Sequence, residues 1–119
     1  MKFAACLLLA AAPLLVWAQR EGNFTIRFEP KAILQTGVAV PFEISVTDSR
    51  RNPVTQAEVK LYIETADGRE RKPFVAPAIT AGVYLAKPIF PEAGDWKVDV
   101  EVRRNDQFSV RSLEFNVRE

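Results

Sequence analysis

The sequence predicts an all-β protein that folds as an antiparallel β-sandwich of about seven strands. Apolar and polar residues alternate in most runs after residue 22, which is the pattern of strands buried on one face only. Turn-forming residues separate these runs at intervals of roughly eight to twelve residues, as in sandwiches and barrels. The one-sided apolar faces, with strand patterns at both ends of the region, favour the sandwich over the barrel.

Period-two alternation defines the predicted strands, and it is clearest in residues 95–103, where Trp96 and three valines alternate with charged residues. The inward side chains supply a core large enough for a domain of about 100 residues. The predicted strands cover residues 23–29, 39–47, 57–64, 69–76, 82–90, 95–103 and 107–117. The predicted core includes Phe24, Phe28, Phe42, Leu61, Trp96, Val98 and Phe115.

Turn residues connect the strands. Asp67-Gly68 predicts a two-residue hairpin turn, and residues 104–106 close a second hairpin. Gly94 is expected to supply a positive φ in the loop before the strand that follows it.

Gly82, Tyr84 and Trp96 have a packing interpretation. Gly82 lets the chain bend sharply where a strand starts, and Trp96 fills the core at the start of the best-patterned strand. Tyr84 is expected to bury its ring and to donate its hydroxyl to a backbone group at the sandwich edge.

The last strand changes phase along its length. Phe108 and Val110 share one parity, whereas the apolar residues that follow share the other. Because a one-residue slip turns every later side chain to the opposite face, we expect a bulge at Arg111-Ser112.

Residues 1–18 have the features of a secretory signal peptide: a charged start, a short apolar run and small residues before the expected cleavage site. Cleavage after Ala18 would leave residues 19–119 as one domain. The alternative is an uncleaved membrane anchor. The run is shorter than the roughly 18 apolar residues of a spanning helix, and Pro13 interrupts it.

The composition after cleavage excludes several classes of function. The sequence has no His, and its only Cys and only Met lie within residues 1–18. Of the 16 basic residues, Lys2 is removed as well, and the remainder balances the 15 acidic ones, which disfavours a nucleic-acid partner. Because imidazole, thiolate and thioether ligands are missing, neither copper nor zinc is expected to bind. An exported domain without a disulfide favours a bacterial envelope.

No catalytic, cofactor-binding or metal-binding residue is predicted. None of the four serines considered stands in a Gly-x-Ser-x-Gly elbow; these are Ser45, Ser49, Ser109 and Ser112. Four carboxylates point outward from the predicted strands, and we interpret them, together with Lys97 and Arg103, as a solvated face of mixed charge. The four are Glu58, Glu64, Asp99 and Glu101. The run from Arg69 to Lys72 reads as a charged hairpin flank, with binding of an anion or anionic lipid as the alternative.

Two segments carry a family pattern: SVTDSRRNPVTQAEVKLYI at residues 45–63 and GVYLAKPIFPEAGDWKVDVEV at residues 82–102. An Asp turn, Pro-Val and Ala-x-Val are followed by Gly-x-Tyr and Pro-x-x-Gly-x-Trp. This pattern resembles the YtkA-like domain, which is grouped with FixH-type envelope proteins, except that a turn glycine is usual where Asn52 stands. The resemblance implies an immunoglobulin-like sandwich in the bacterial envelope. Some such relatives are associated with copper handling or with terminal-oxidase assembly.

Three functions are consistent with these observations. The first is a non-catalytic exported module that docks onto another envelope protein, in the periplasm or outside the cell. The second is a membrane-anchored, FixH-like accessory factor for metal or oxidase assembly, which would contact the membrane only if the N-terminal segment is uncleaved. The third is a carboxypeptidase-regulatory-like or other immunoglobulin-like module that binds a small ligand or a cation through oxygen ligands.

The N-terminal segment gives the first testable prediction. Mass spectrometry of the exported protein should show Gln19 as the first residue, because small residues precede the expected cleavage site. Recovery of only a species that starts at Met1 or Lys2, confined to membranes, would establish the anchored form instead.

Overall fold

Eight strands in two antiparallel sheets make up residues 23–119, the part of the chain that the computed structural model describes. The first sheet has the order β1-β2-β6-β5 and the second the order β4-β3-β7-β8. The strands are β1 (Thr25–Pro30), β2 (Phe42–Thr47), β3 (Glu58–Thr65), β4 (Arg71–Val75), β5 (Ala78–Thr80), β6 (Val83–Ala86), β7 (Gly94–Arg104) and β8 (Gln107–Val117). The all-β sandwich is confirmed. The signal peptide predicted for residues 1–18 lies outside the described residues.

Two strand assignments needed correction. The sequence analysis missed β5, because its three residues are all exposed and carry no alternation. The strand predicted over residues 82–90 ends at Ala86, ahead of Lys87-Pro88. Proline lacks the amide hydrogen that a sheet ladder needs, so β6 does not continue through it.

The chain changes sheets between β4 and β5. The Ala76 amide donates to the carbonyl of Val59 in the second sheet at 3.0 Å. The Leu85 amide of the first sheet donates to the carbonyl of the next residue, Pro77, also at 3.0 Å. Two consecutive residues therefore hydrogen-bond to different sheets, and the polypeptide chain connects the two sheets along this side of the sandwich.

The core lies between the inward faces of the two sheets. Phe42, which is fully buried, packs edge-on against Phe115 with ring centroids 5.5 Å apart. Phe90 makes the same kind of contact with Trp96 at 5.5 Å. Trp96 is only 1% exposed, and its indole N–H donates to the carbonyl of Glu92 at 2.9 Å. The core roles predicted for Trp96 and Phe42 are therefore confirmed.

The bulge predicted at Arg111-Ser112 is absent from the β7–β8 ladder, whose register runs unbroken from Gly94↔Val117 to Arg104↔Gln107. A tertiary contact replaces it. Arg111 occupies an inward position, and its guanidinium leaves the sandwich edge to donate to the carbonyl of Ile26 at 3.1 Å. Phe108 consequently faces outward, where the Arg103 guanidinium covers its ring at 4.7 Å.

One of the two hairpin predictions is confirmed, and the other gave too short a connection. The β7–β8 turn is confirmed as a tight turn, with Asn105 at a φ of 58°. The β3–β4 connection is longer than the two residues predicted, because the Thr65 amide donates to the carbonyl of Glu70 across it. Gly68, at a φ of 76°, donates to the carbonyl of Thr65 within this loop.

Neighbouring residues on opposite faces of β7 test the core assignment. Trp96→Ala should lower the free energy of unfolding by about 3–5 kcal/mol, since it removes a buried aromatic ring and leaves a cavity. Lys97→Ala, on the outward face, should cost no more than about 0.5 kcal/mol. Urea denaturation of both variants measures the contrast. Equal losses would contradict the assignment of the two faces.

Candidate functional site

A cluster of charges centred on Arg71 covers the outward face of the second sheet. The guanidinium lies 3.6 Å from Glu64, 3.4 Å from Asp99 and 3.5 Å from Glu101. It also stacks over the ring of Tyr62 at 3.8 Å from the centroid. The cluster therefore joins β3, β4 and β7 across their ladders.

Asp99 is the buried member of this cluster. Its side chain is 9% exposed, although it lies on the outward face. Ser112 donates its hydroxyl to one carboxylate oxygen at 2.6 Å, and Arg71 donates to the other at 3.4 Å. The expectation of a solvated face is therefore wrong at Asp99, because its two partners cover it from strands β4 and β8. Both oxygens are engaged, so the group acts as a cross-strand tie.

The run from Arg69 to Lys72 offers little free positive charge. Arg71 belongs to the cluster just described, and the Nε of Arg69 donates to Asp67 at 2.7 Å. Asp67 also accepts from the Thr65 hydroxyl at 2.8 Å and from the Arg69 amide at 3.0 Å. Hydrogen bonds from Arg69, and then from Thr65, lower the pKa of Asp67 from 3.8 to about 2. The run thus stabilises its own hairpin.

Four residues of the family pattern meet in one structural contact, which we call the latch: Pro53, Val54, Gly82 and Tyr84. The Tyr84 hydroxyl donates to the carbonyl of Val54 at 2.7 Å, as the sequence predicted for a backbone acceptor. Gly82 has a φ of 74°, and a Cβ there would lie 2.6 Å from the Cβ of Pro53. Only glycine fits this approach. The pattern therefore reports packing between strand β6 and the β2–β3 loop.

Three of the six exposed large hydrophobic residues in the described range lie in the connections at one end of the sandwich. Ile33 is 72% exposed, Val38 48% and Ile89 47%. They belong to two segments that run side by side, since Ala39 pairs with Ile89 and the Gly37 amide donates to the carbonyl of Phe90 at 3.0 Å. We call Ile33, Val38 and Ile89 the apolar tip.

The described residues bring together no recognisable catalytic or metal-binding group. Within residues 23–119, no three side chains of His, Cys, Asp or Glu converge as they would around a metal ion. Ser109 is buried in the sandwich with an unpartnered hydroxyl, and Ser112 is bound to a carboxylate that Arg71 already engages. Ser45 and Ser49 line an open groove. In the same range, no helix is long and apolar enough to cross a membrane.

A family model described as YtkA-like matches residues 18–101, which is most of the chain. The chain belongs to the YtkA-like family. The resemblance to the YtkA-like domain is thereby confirmed. Its pattern includes the four residues of the latch. No functionally curated protein matches this YtkA-like chain.

Among solved structures, this YtkA-like protein is similar to the PKD domain of an M14-like peptidase from Thermoplasmatales archaeon SCGC AB-540-F20. The TM-score is 0.52 at 14% sequence identity, and the match covers 79% of this chain and 93% of the other. At this identity the likeness concerns the fold alone. It supports an immunoglobulin-type sandwich, a fold that hosts many unrelated functions.

Sequence reasoning missed the apolar tip. Its residues lie in the segments between β1 and β2 and between β6 and β7, where no regular period indicates which side chains face solvent. The available signal was compositional: Ile33, Val38 and Ile89 stand outside the alternating cores of the strands.

The carboxyl of Asp67 should titrate with a midpoint of about 2 in an NMR pH titration. Because its pKa is lowered in the folded state, the stabilisation it contributes is present above its ordinary pKa of 3.8 and is lost as the pH falls through about 2. Arg69→Ala should raise the midpoint, whereas Lys72→Ala should leave it unchanged. An unchanged midpoint in Arg69→Ala would contradict the assigned cause.

Proposed function

We propose that this protein is a non-catalytic, exported accessory module of the bacterial envelope that docks onto an apolar patch of another envelope protein. The observation that carries the proposal is the apolar tip, whose three aliphatic side chains are about half exposed or more. Exposed aliphatic clusters on soluble domains mark contact surfaces, because their burial removes apolar area from water.

The chemistry of the domain supports a binding role over catalysis. Residues 23–119 contain neither His nor Cys, so the usual general base and thiol nucleophile are missing. The charged groups of the cluster around Arg71 form ion pairs with one another. The similar archaeal structure is the PKD domain of an M14-like peptidase.

The described part of the chain begins at the end of the sandwich opposite to the tip. Strand β1 starts at Thr25 and ends at Pro30, and the tip begins just after it. The N-terminal segment therefore joins the sandwich at the end opposite to the tip.

Site-specific photo-crosslinking in producing cells tests the docking role. A photoreactive residue at Val38 should give one discrete adduct, whereas the same residue at Val110 should give none. The two positions are matched, since their side chains are 48% and 47% exposed, but Val110 lies on a sheet face. Ile33→Ser, introduced together with the Val38 probe, should remove the adduct.

The control is stability. Exposed positions usually tolerate substitution within about 0.5 kcal/mol, so Ile33→Ser should melt as the parent does. Equal adducts from Val38 and Val110, or an adduct that persists in Ile33→Ser, would contradict docking through the tip.

A further inference from the structure

We infer that an open groove on the outward face of the first sheet binds a phosphoryl oxyanion through Arg27 and Arg51. The groove has a volume of about 550 Å³ and lies at the end of the sandwich opposite to the apolar tip. It is independent of the proposed docking role. Its lining is Thr25, Arg27, Ser45, Thr47, Asp48, Ser49 and Arg51.

Two rungs of the β1–β2 ladder build the floor of this groove. Thr25 pairs with Thr47, and Arg27 pairs with Ser45. All four side chains point outward, because Ile26, Phe28, Ile44 and Val46 fill the inward positions between them. The floor therefore presents three hydroxyl groups and one guanidinium.

The two arginines of the groove keep their charge available. Neither Arg27 nor Arg51 forms an ion pair with any residue in the described range. Asp48, the one acid in the lining, is held by its own loop, since its Oδ1 accepts from the amides of Arg50 and Asn52, both at 2.9 Å. Its negative charge remains in the lining, where the two arginines outnumber it. The groove thus has two uncommitted cations beside a carboxylate that is held by its own loop.

Arg51 adopts a backbone conformation that glycine tolerates better than arginine does. Its φ is 68°, in the left-handed region that costs most side chains energy and costs glycine almost none. The Asp48 loop enforces this conformation, since the Arg51 amide donates to the Asp48 carbonyl at 2.9 Å. A strained residue at the rim of a concavity is typical of a side chain retained for its contacts.

The lining selects the ligand class. Guanidinium groups bind tetrahedral oxyanions through paired N–H donors, and hydroxyl groups add further donors to the same oxygens. A phosphoryl group supplies several acceptor oxygens and enough negative charge for two arginines. The group can come from free phosphate or from a lipid headgroup, and Thr25 places the groove close to where the chain enters the described region.

The test compares variants of the full chain by NMR at constant ionic strength, with inorganic phosphate titrated against chloride. Saturable amide shifts are expected at the groove residues. Arg51→Gly should weaken binding about tenfold, since it removes a charge-assisted contact. It should also melt no lower than the parent, because glycine relieves the left-handed backbone. Arg27→Gln should weaken binding similarly from the opposite wall.

Arg50→Ala is the matched control. It removes the same charge from the same loop, but Arg50 does not line the groove, so its effect should stay within about twofold through screened attraction alone. Shifts that do not saturate, or an Arg50→Ala loss equal to that of Arg51→Gly, would overturn the site and leave only general attraction to a basic loop.

Vesicles then separate the two sources of the phosphoryl group. Phosphatidylglycerol vesicles should retain the parent more strongly than Arg51→Gly if a headgroup is the ligand, and phosphatidylcholine vesicles supply the background from the apolar N-terminus. Equal retention of parent and variant, together with saturable phosphate shifts, assigns the site to a soluble phosphoryl group.

Discussion

The contact of Gly82 with Pro53 is the constraint on which the arrangement of the two sheets depends. The β2–β3 loop carries the chain from the first sheet to the second, and the latch fixes this loop against strand β6 of the first sheet. The Val54 amide also donates to the carbonyl of Val46 at 3.0 Å, so the loop is held from two strands. Because this loop is fixed against the first sheet, the start of β3 is fixed as well. The buried faces of the two sheets therefore pack against each other in one arrangement.

The fold followed from local pattern, because burial of one face imposes alternation on every strand. The errors arose where a distant partner decided the outcome. The phase change of the apolar residues in the last strand indicated a bulge at Arg111-Ser112, yet the ladder is unbroken and the Arg111 guanidinium donates to the carbonyl of Ile26 at the sandwich edge. Arg51 adopts the left-handed conformation one residue before Asn52, where the family pattern has its glycine. The apolar tip has no period, so the sequence did not reveal it. The groove floor does alternate along β1 and β2, but the pairing of these strands, which brings its residues together, is not part of the local pattern.

Three of the four edge strands carry a feature that discourages pairing with other chains. Strand β4 has Pro73 at its centre, which removes one donor from that edge. Strand β5 is only three residues long. Strand β8 is the longest free edge, and Arg111 places a charge on its inward side. The domain can therefore expose a contact surface at the tip while these edges resist uncontrolled addition of strands.

The parallel bridge between Gln35 and Arg118 has a mechanical consequence. It places the segment that follows β1 beside the end of β8, so that Thr25, at the start of β1, lies at the opposite end of the sandwich from Val117. Tension applied between these points acts along the strands, whereas the ladder hydrogen bonds lie across them. Many bonds would share the load and would have to break together instead of one after another. A partner held at the tip and a membrane at the other end would thus be joined by a stiff spacer.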